Sequence, residues 1–358
     1  MTPTSYSEII KAPHQISFDI TNKCNLRCLH CFNNSGENDV INDELTDEEV
    51  MEFITSITPL QLYNICFCGG EPLLRKELLY KCIKKLKESG THCSMVTNAI
   101  LVQKEVLYEL EKCGLDAIQF SLDGLRTSHD RLRNKEGVFK QVIQAIEIVL
   151  EETNIHLSIA FTPTAFNVDD FEEICELLIN RFERSHRKQS NDYIELRLQP
   201  LMLLGRARKH HDIEPSDLQY RKLVQMIEER KTIKYSKCLD IKWGDPIDHL
   251  LRFREPNNFM DQSIIHANGD IVVSAYIPLV VGNIRKHSLV EYWEHGLNKV
   301  WTKNVVQYLV SQMQSISDME KVTLTVADIN TNECLYLDIM ENDLDDLNLI
   351  KEVILKNC

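Results

Sequence analysis

Three cysteines stand four and three residues apart in Cys24-Asn-Leu-Arg-Cys28-Leu-His-Cys31. Thiolates so placed can converge from one loop onto one metal centre, and three soft sulfur ligands suit zinc or an iron–sulfur cluster. In a four-iron cluster held by only three cysteines, one iron keeps a free position for a substrate or cofactor. The competing arrangement is a structural zinc with His30 as fourth ligand. Zinc knots, however, draw their ligands from two separated loops. Farther along come Gly69-Gly70-Glu71-Pro72, Thr97-Asn98 and Ser121-Leu122-Asp123-Gly124. Paired glycines let backbone groups approach a ligand closely, and Glu71 adds an acceptor. Singly these segments are ordinary, because Ser, Asn, Asp and Gly populate many loops.

Their placement is what counts. Gln15–Ile20 reads as a strand, and Thr46–Ile57 as a helix opened by a capping box of Thr46 and Glu49. Strands at Leu62–Phe67, His92–Val96, Ala117–Phe120, Ile155–Phe161 and Tyr193–Leu198 alternate with helices. Those helices are expected at Arg75–Glu88, Gln103–Cys113, Phe139–Glu151, Asp169–Phe182 and Ser216–Glu229. Six β-α pairs imply parallel strands with right-handed crossovers, in a partial barrel or an open doubly wound sheet. In a parallel barrel the strand ends face one way, so the cysteine loop, the glycine turn and the polar loops surround one pocket. After Tyr235 the rhythm changes. Ile264–Val273 suggests a hairpin turned at Asn268-Gly269. Helices follow at Ser288–Trp301 and Val305–Met313, then a hairpin of Lys321–Ala327 with Glu333–Ile339, then a helix at Asp345–Leu355.

The 358 residues carry 40 Lys and Arg against 54 Asp and Glu, a net charge of −14. That balance argues against nucleic acid or an anionic membrane as partner. Half of it falls between Asp318 and Cys358, where ten acidic residues meet three basic ones. No apolar run approaches the length of a membrane span, and the N-terminus lacks a signal-peptide pattern. The expected location is cytoplasmic, where the twelve cysteines stay reduced. Cys66, Cys68, Cys82, Cys93, Cys113 and Cys175 are expected as core thiols, although Cys68 abuts Gly69. The basic runs Arg181–Lys188 and Arg206–His211 read as solvated surface.

The cysteine triplet CNLRCLHC followed by GGEP at the next strand end resembles the radical S-adenosylmethionine (radical SAM) superfamily. The resemblance runs from the first strand to about Arg208. It implies an α/β fold, a partial (β/α)6 TIM-type barrel over 15–235 with a smaller C-terminal α+β extension, behind an N-terminal tail at 1–14. It implies that Cys24, Cys28 and Cys31 hold one [4Fe–4S] cluster whose fourth iron chelates S-adenosyl-L-methionine. Gly69, Gly70 and Glu71 would hold the methionyl amino group. Ser121 and Asp123 would reach the ribose or carboxylate, Asn98 would stand nearby, and Arg133 would pair with the carboxylate. The alternative for Arg133 is a place on a helix surface.

SLDGLRTSHDRLR, LRLQPLMLLGRARK and IIHANGDIVVSAYIPLVVGNIRKHSLVEYWEHG resemble the peptide- and protein-modifying branch with its SPASM or twitch extension. The extension would span 236–317, ahead of an acidic element at 318–358. Where such extensions carry cysteines for auxiliary clusters, this chain has Ser274, Ala275 and Tyr276, and only Cys238, Cys334 and Cys358, widely scattered, remain in the last third. One cluster is therefore expected, and redox-neutral outcomes gain weight. The resemblance implies hydrogen abstraction from a ribosomally synthesised peptide, ending in epimerisation or crosslinking, with reduced ferredoxin or flavodoxin as electron donor. A small molecule is the alternative substrate; a non-catalytic iron–sulfur or zinc protein is the alternative class. The catalytic residues stay unassigned, with Cys238 a candidate hydrogen donor or a plain structural cysteine.

Overall fold

The computed structural model describes residues 11–36, 43–189, 192–232, 238–244, 251–252, 254, 260–315, 318–322 and 334–349. Seven parallel strands lie side by side in chain order: β1 (Gln15–Thr21), β2 (Asn64–Gly69), β3 (His92–Thr97), β4 (Ala117–Ser121), β5 (His156–Phe161), β6 (Ile194–Leu198) and β7 (Leu239–Trp243). On the other side of β1, β8 (Gln262–Ile265) pairs parallel to it. Two antiparallel strands, β9 (Asp270–Ser274) and β10 (Ile277–Asn283), complete one ten-stranded sheet. The architecture is the expected α/β partial barrel, with two parallel strands, β7 and β8, beyond those that the six β-α pairs supply.

Alternation along the strands decides which face meets the helices. Even residues of β1 turn outward: the Phe18 ring centroid lies 5.5 Å from that of Phe53 and 6.5 Å from that of Phe67. Phe53 belongs to helix α1 (Asp47–Ile57), so this face is the outside of the barrel. Ile65 and Phe67, Cys93 and Met95, Ile118 and Phe120, and Leu196 and Leu198 continue the same apolar layer, all buried. Their strand neighbours line the opposite, inner face, including Asp19, Cys66, Cys68, Ser94, Gln119 and Glu195. This inner surface is polar; Ser158 donates to Gln119 at 3.3 Å across adjacent strands.

The connecting helices are α2 (Lys76–Lys87), α3 (Lys104–Cys113), α4 (Arg126–Leu132), α5 (Val138–Glu152), α6 (Phe171–Arg184) and α7 (Asp217–Thr232). The capping box of α1 forms as expected, with Glu49 N donating to Thr46 Oγ1 at 3.2 Å and Thr46 N to Glu49 Oε2 at 2.8 Å. Helix α4 was not foreseen. Its first cap position is Leu125, which offers no side-chain acceptor, so no start signal marks it.

In the extension, the single helix expected at Ser288–Trp301 divides. Helix α8 (Leu289–Glu294) stops before Gly296, whose φ of +114° breaks it, and a 3-10 turn (Leu297–Thr302) leads to α9 (Asn304–Ser311). Residues 318–322 are helical where a strand was expected to begin at Lys321. Asp318 accepts from the Gln314 and Ser315 amides and pairs with Lys321 at 3.1 Å, which favours a helical turn. The rest of that strand, and the expected last helix beyond residue 349, lie outside the described residues. Tyr336 bridges to Val280 in parallel, so this segment borders β10.

A buried carboxylate anchors that border. Asp338 accepts from Tyr336 at 3.0 Å, Tyr292 at 3.1 Å and the Met340 amide at 3.0 Å. Asp338→Ala leaves two tyrosine hydroxyls short of an acceptor and should cost about 1–3 kcal/mol. A thermal melt with an unchanged midpoint would contradict this role.

Candidate metal and cofactor site

The cysteine loop leaves the carboxyl end of β1 and is gripped by backbone from three other strand ends. Its base is closed by Gly36 N donating to Asn22 O at 2.9 Å and Ser35 Oγ to Asn22 Oδ1 at 3.0 Å. The turn after β2 follows: Gly70 N donates to Thr21 O at 2.7 Å and Glu71 N to Lys23 O at 2.9 Å. A Cβ on Gly70 would stand 2.1 Å from Lys23 O, so only glycine admits this contact. The close approach that the glycine pair permits is thus made to the cysteine loop itself. From beyond β4, Leu132 O accepts from Leu29 N at 2.8 Å.

The third grip comes from beyond β6. Arg206 N donates to Cys31 O at 2.9 Å, its Nη1 to Cys28 O at 3.0 Å and its Nη2 to Ser35 O at 2.9 Å. Arg206 is buried, so this end of the basic run is a clamp and not solvated surface. Neighbouring Gly205, at φ +53°, would place a Cβ 2.2 Å from Phe32 O.

Cys28 is buried, and Cys24 and Cys31 are half-buried. Burial pushes the Cys28 thiol up to about 11, with Cys31 and Cys24 adding to the rise. Burial also raises Cys24, helped by the charges of Glu71 and Cys31. The Glu71 carboxylate is fully buried and accepts from Thr97 Oγ1 at 2.7 Å, Asn98 N at 3.0 Å and Leu73 N at 3.1 Å. Its pKa is raised because burial outweighs those bonds. Asn98 Nδ2 donates to Asn25 Oδ1 at 2.8 Å and lies 3.9 Å from Cys24 Sγ. Ser121 closes β4 beside Ala160 and is half-buried.

Asp123 and Arg133 form a buried ion pair joined by a short hydrogen bond. Arg133 is therefore no surface arginine. Its Nη1 also lies 3.6 Å from Cys28 Sγ. Asp123 further accepts from Thr162 N at 2.9 Å and faces His30 Nε2 at 3.4 Å. Burial pushes the Asp123 carboxyl up, but Arg133, His30 and His129 more than offset it, and it titrates below its ordinary range. Burial drives His30 down to about 4 and His129 down to about 3, so both imidazoles are neutral at pH 7.

The donor set suits a multi-iron cluster better than a zinc knot. His30 turns towards Asp123, away from the role of fourth zinc ligand. Among the described residues, no three His, Cys, Asp or Glu side chains gather closely enough for a single metal ion. A cluster bridges wider gaps, and the three thiols still feel one another's charge. Around them the donors Asn25 Nδ2 and Arg133 Nε are buried without partners, ready for sulfur or cofactor oxygens, and His30 Nδ1 is likewise buried and unpaired.

Sequence reasoning brought Cys24, Cys28, Cys31, Gly69, Gly70, Glu71, Asn98, Asp123 and Arg133 to one end of the barrel, and there the structure gathers them. It missed Arg206 and His129. The signal for Arg206 was its position after strand six, at the same end as the cysteine loop. Cys238 lies elsewhere: it precedes β7, and its carbonyl accepts from Ile194 at the foot of β6, the opposite end of the strands.

A partial barrel with a three-cysteine loop at its carboxyl face defines a class of iron–sulfur proteins. Residues 18–178 match the Radical SAM superfamily, and the chain carries that domain. An AdoMet-dependent heme synthase of Methanosarcina barkeri is 24% identical over 80% of this chain and 83% of its own length. The sporulation killing factor maturation protein SkfB of Bacillus subtilis is 24% identical over 78% of this chain and 64% of its own. Against two further curated relatives the chain spans only 40% and 58% of their length. The crystal structure of Streptococcus suis SuiB bound to precursor peptide SuiA superposes with a TM-score of 0.63 at 14% identity. That match covers 85% of this chain and 68% of SuiB, and it shows the shared fold. No helix among the described residues is long and apolar enough to cross a membrane.

Arg133→Met should destabilise the protein by about 3–5 kcal/mol, because Asp123 is left charged and unpaired. The paired carboxylate of the native protein contributes stability above its unfolded pKa and loses it only as pH falls below the ordinary aspartate range. The orphaned one is raised instead, so the deficit of the variant should shrink as pH falls from neutrality. Urea unfolding at several pH values checks this; a deficit that grows on acidification would refute the pairing.

Proposed function

We propose that this chain reductively cleaves S-adenosyl-L-methionine and uses the radical so formed on a ribosomally synthesised peptide, by epimerisation or crosslinking. The observation that carries the radical chemistry is the gathering of the cysteine loop, Glu71, Asn98, Asp123 and Arg133 at one end of a polar lumen. When bound, a single [4Fe–4S] cluster on Cys24, Cys28 and Cys31 supplies the electron that breaks the sulfonium, giving methionine and a hydrogen-abstracting 5′-deoxyadenosyl radical. The residues of the chain orient and enclose. Buried donors at Asn25 and Arg133 are available to cofactor oxygens, and the Gly69–Glu71 turn with Ser121 borders the place of the methionyl and ribose groups.

A peptide substrate is supported by the likeness to SkfB and by the shared fold of SuiB, which was crystallised with a precursor peptide. The lumen is polar, and the extension adds β8 to β10 beside the strand that carries the cysteine loop. A small-molecule substrate is the second reading, favoured by the heme synthase, which matches the greater part of both chains. A one-electron carrier of the ferredoxin or flavodoxin kind would feed the cluster. The one-cluster reading draws support from Cys238 and Cys334, which adjoin strands at opposite edges of the sheet order.

Anaerobic reconstitution should load about four irons per chain, and Cys28→Ala should abolish loading. A content near eight irons, or zinc retained without cleavage of S-adenosylmethionine, would overturn the assignment. For the substrate, a short peptide encoded beside this gene is the probe. It should gain one deuterium in heavy water on epimerisation or lose two hydrogens on crosslinking. Recovery of the peptide unaltered while 5′-deoxyadenosine accumulates would favour the small-molecule reading.

A further inference from the structure

Cys66 and Cys68 are not core thiols. Both sit on β2 with side chains on the inner face, and both are half-buried, whereas Cys82, Cys93, Cys113 and Cys175 are buried. Their Sγ atoms stand 3.4 Å apart, in contact. Cys68 pairs with Asp19 across the β1–β2 register, one step before Gly69 meets Thr21. It therefore lies directly beneath the turn that grips the cysteine loop, and Cys66 about 7 Å deeper in the lumen. Accepting from Cys68 holds the Cys66 thiol below its ordinary value, with Ser94 assisting. The same contact, together with burial, raises Cys68. Cys66 is thus the more acidic sulfur of the two.

We propose that Cys66 and Cys68 form a working dithiol that hands a hydrogen atom to a carbon radical in the barrel lumen and then closes to a disulfide. The proposal rests on the radical chemistry above and gives it a hydrogen donor. The S–H bond of Cys68 breaks and a C–H bond forms on the substrate, leaving a thiyl on Cys68. The Cys66 thiol releases its proton to water and joins the thiyl through a new S–S bond, and the surplus electron passes to the oxidised form of a one-electron carrier protein. A small dithiol reductant then restores both thiols and becomes a disulfide itself. Residues two apart on a strand span about 6.6 Å between Cα atoms, near the upper limit for a disulfide. Such a bond is readily reduced, as a recycling donor requires. Cys238, at the foot of β7, has no comparable access to the cofactor end of the lumen.

Two measurements on the full-length, cluster-loaded protein test this. The first titrates it through glutathione redox buffers, followed by alkylation and mass analysis of the β2 segment. Cys66 and Cys68 should lose alkylation together, with a mass lower by two hydrogens. Persistent double alkylation in the most oxidising buffer would overturn the proposal, whatever the protein does with S-adenosylmethionine. The second measurement runs cleavage in heavy water with dithionite and no substrate. Wild type should release 5′-deoxyadenosine carrying one deuterium from the thiols. Cys66→Ser with Cys68→Ser should lower that deuterium at least tenfold, and Cys238→Ser should leave it unchanged. Equal deuterium in wild type and the double variant sinks the dithiol while leaving the radical reading intact. If wild type releases no 5′-deoxyadenosine, the radical reading and the donor role fall together, and the redox titration still decides whether the couple exists.

Discussion

A carboxylate and a guanidinium buried against each other behind the cysteine loop set the terms for everything around them. Removing two charges from water is costly, and the cost is offset by their mutual attraction together with further hydrogen bonds. Asp123 therefore takes donors from Arg133 and from Thr162 N at the end of β5, with His30 facing it. Asn167 holds the Asp123 carbonyl as well, at 3.0 Å. Arg133 stands at the C-terminus of α4, so fixing it also fixes Leu132, whose carbonyl receives Leu29 of the cysteine loop. One ion pair thus ties the loops after β4 and β5 to the residues that would carry metal.

The parallel sheet supplies the wider frame. Across β1 to β6 bulky apolar residues such as Phe18, Phe67, Met95, Phe120, Ile159 and Leu196 face the helices while most polar ones face the lumen, so burial and reactivity are largely sorted by parity. The same direction of travel puts the loops after β1, β2, β4 and β6 at one end, where three of them hold the fourth by its backbone. Backbone clamping is independent of the side chains that it exposes. The thiols are consequently left free to serve chemistry while their carbonyls and amides bear the structure.

Much of this was legible. The β-α rhythm, the capping box at Thr46 and Glu49, and the cysteine triplet all carry local signals that the structure reproduces within a few residues. The misses have physical causes. Helix α4 spans two turns with no capping side chain, and β7 is a five-residue strand whose LDIKW pattern is too short to declare itself. Arg206 reads as surface because a basic run normally is; only the fold shows its guanidinium meeting the carbonyls of Cys28 and Ser35. The dithiol was nearer to hand. In Ile65-Cys66-Phe67-Cys68 the bulky residues already alternate with the thiols, and parity alone assigns the cysteines to the face that the helices leave uncovered.

The contact between Gly70 and Lys23 has a consequence for how such a chain can change over time. Because no side chain fits between the two backbones, the turn after β2 and the root of the cysteine loop cannot drift separately. An insertion in either would have to be matched in the other at the same moment. Two segments distant in the gene therefore behave as a single heritable unit, whereas the lumen residues beneath them, the Cys66 and Cys68 pair apart, are not bound by that contact. Diversification of substrate within this architecture has an open route through those inner-face positions and a closed one through the loop that they lie under.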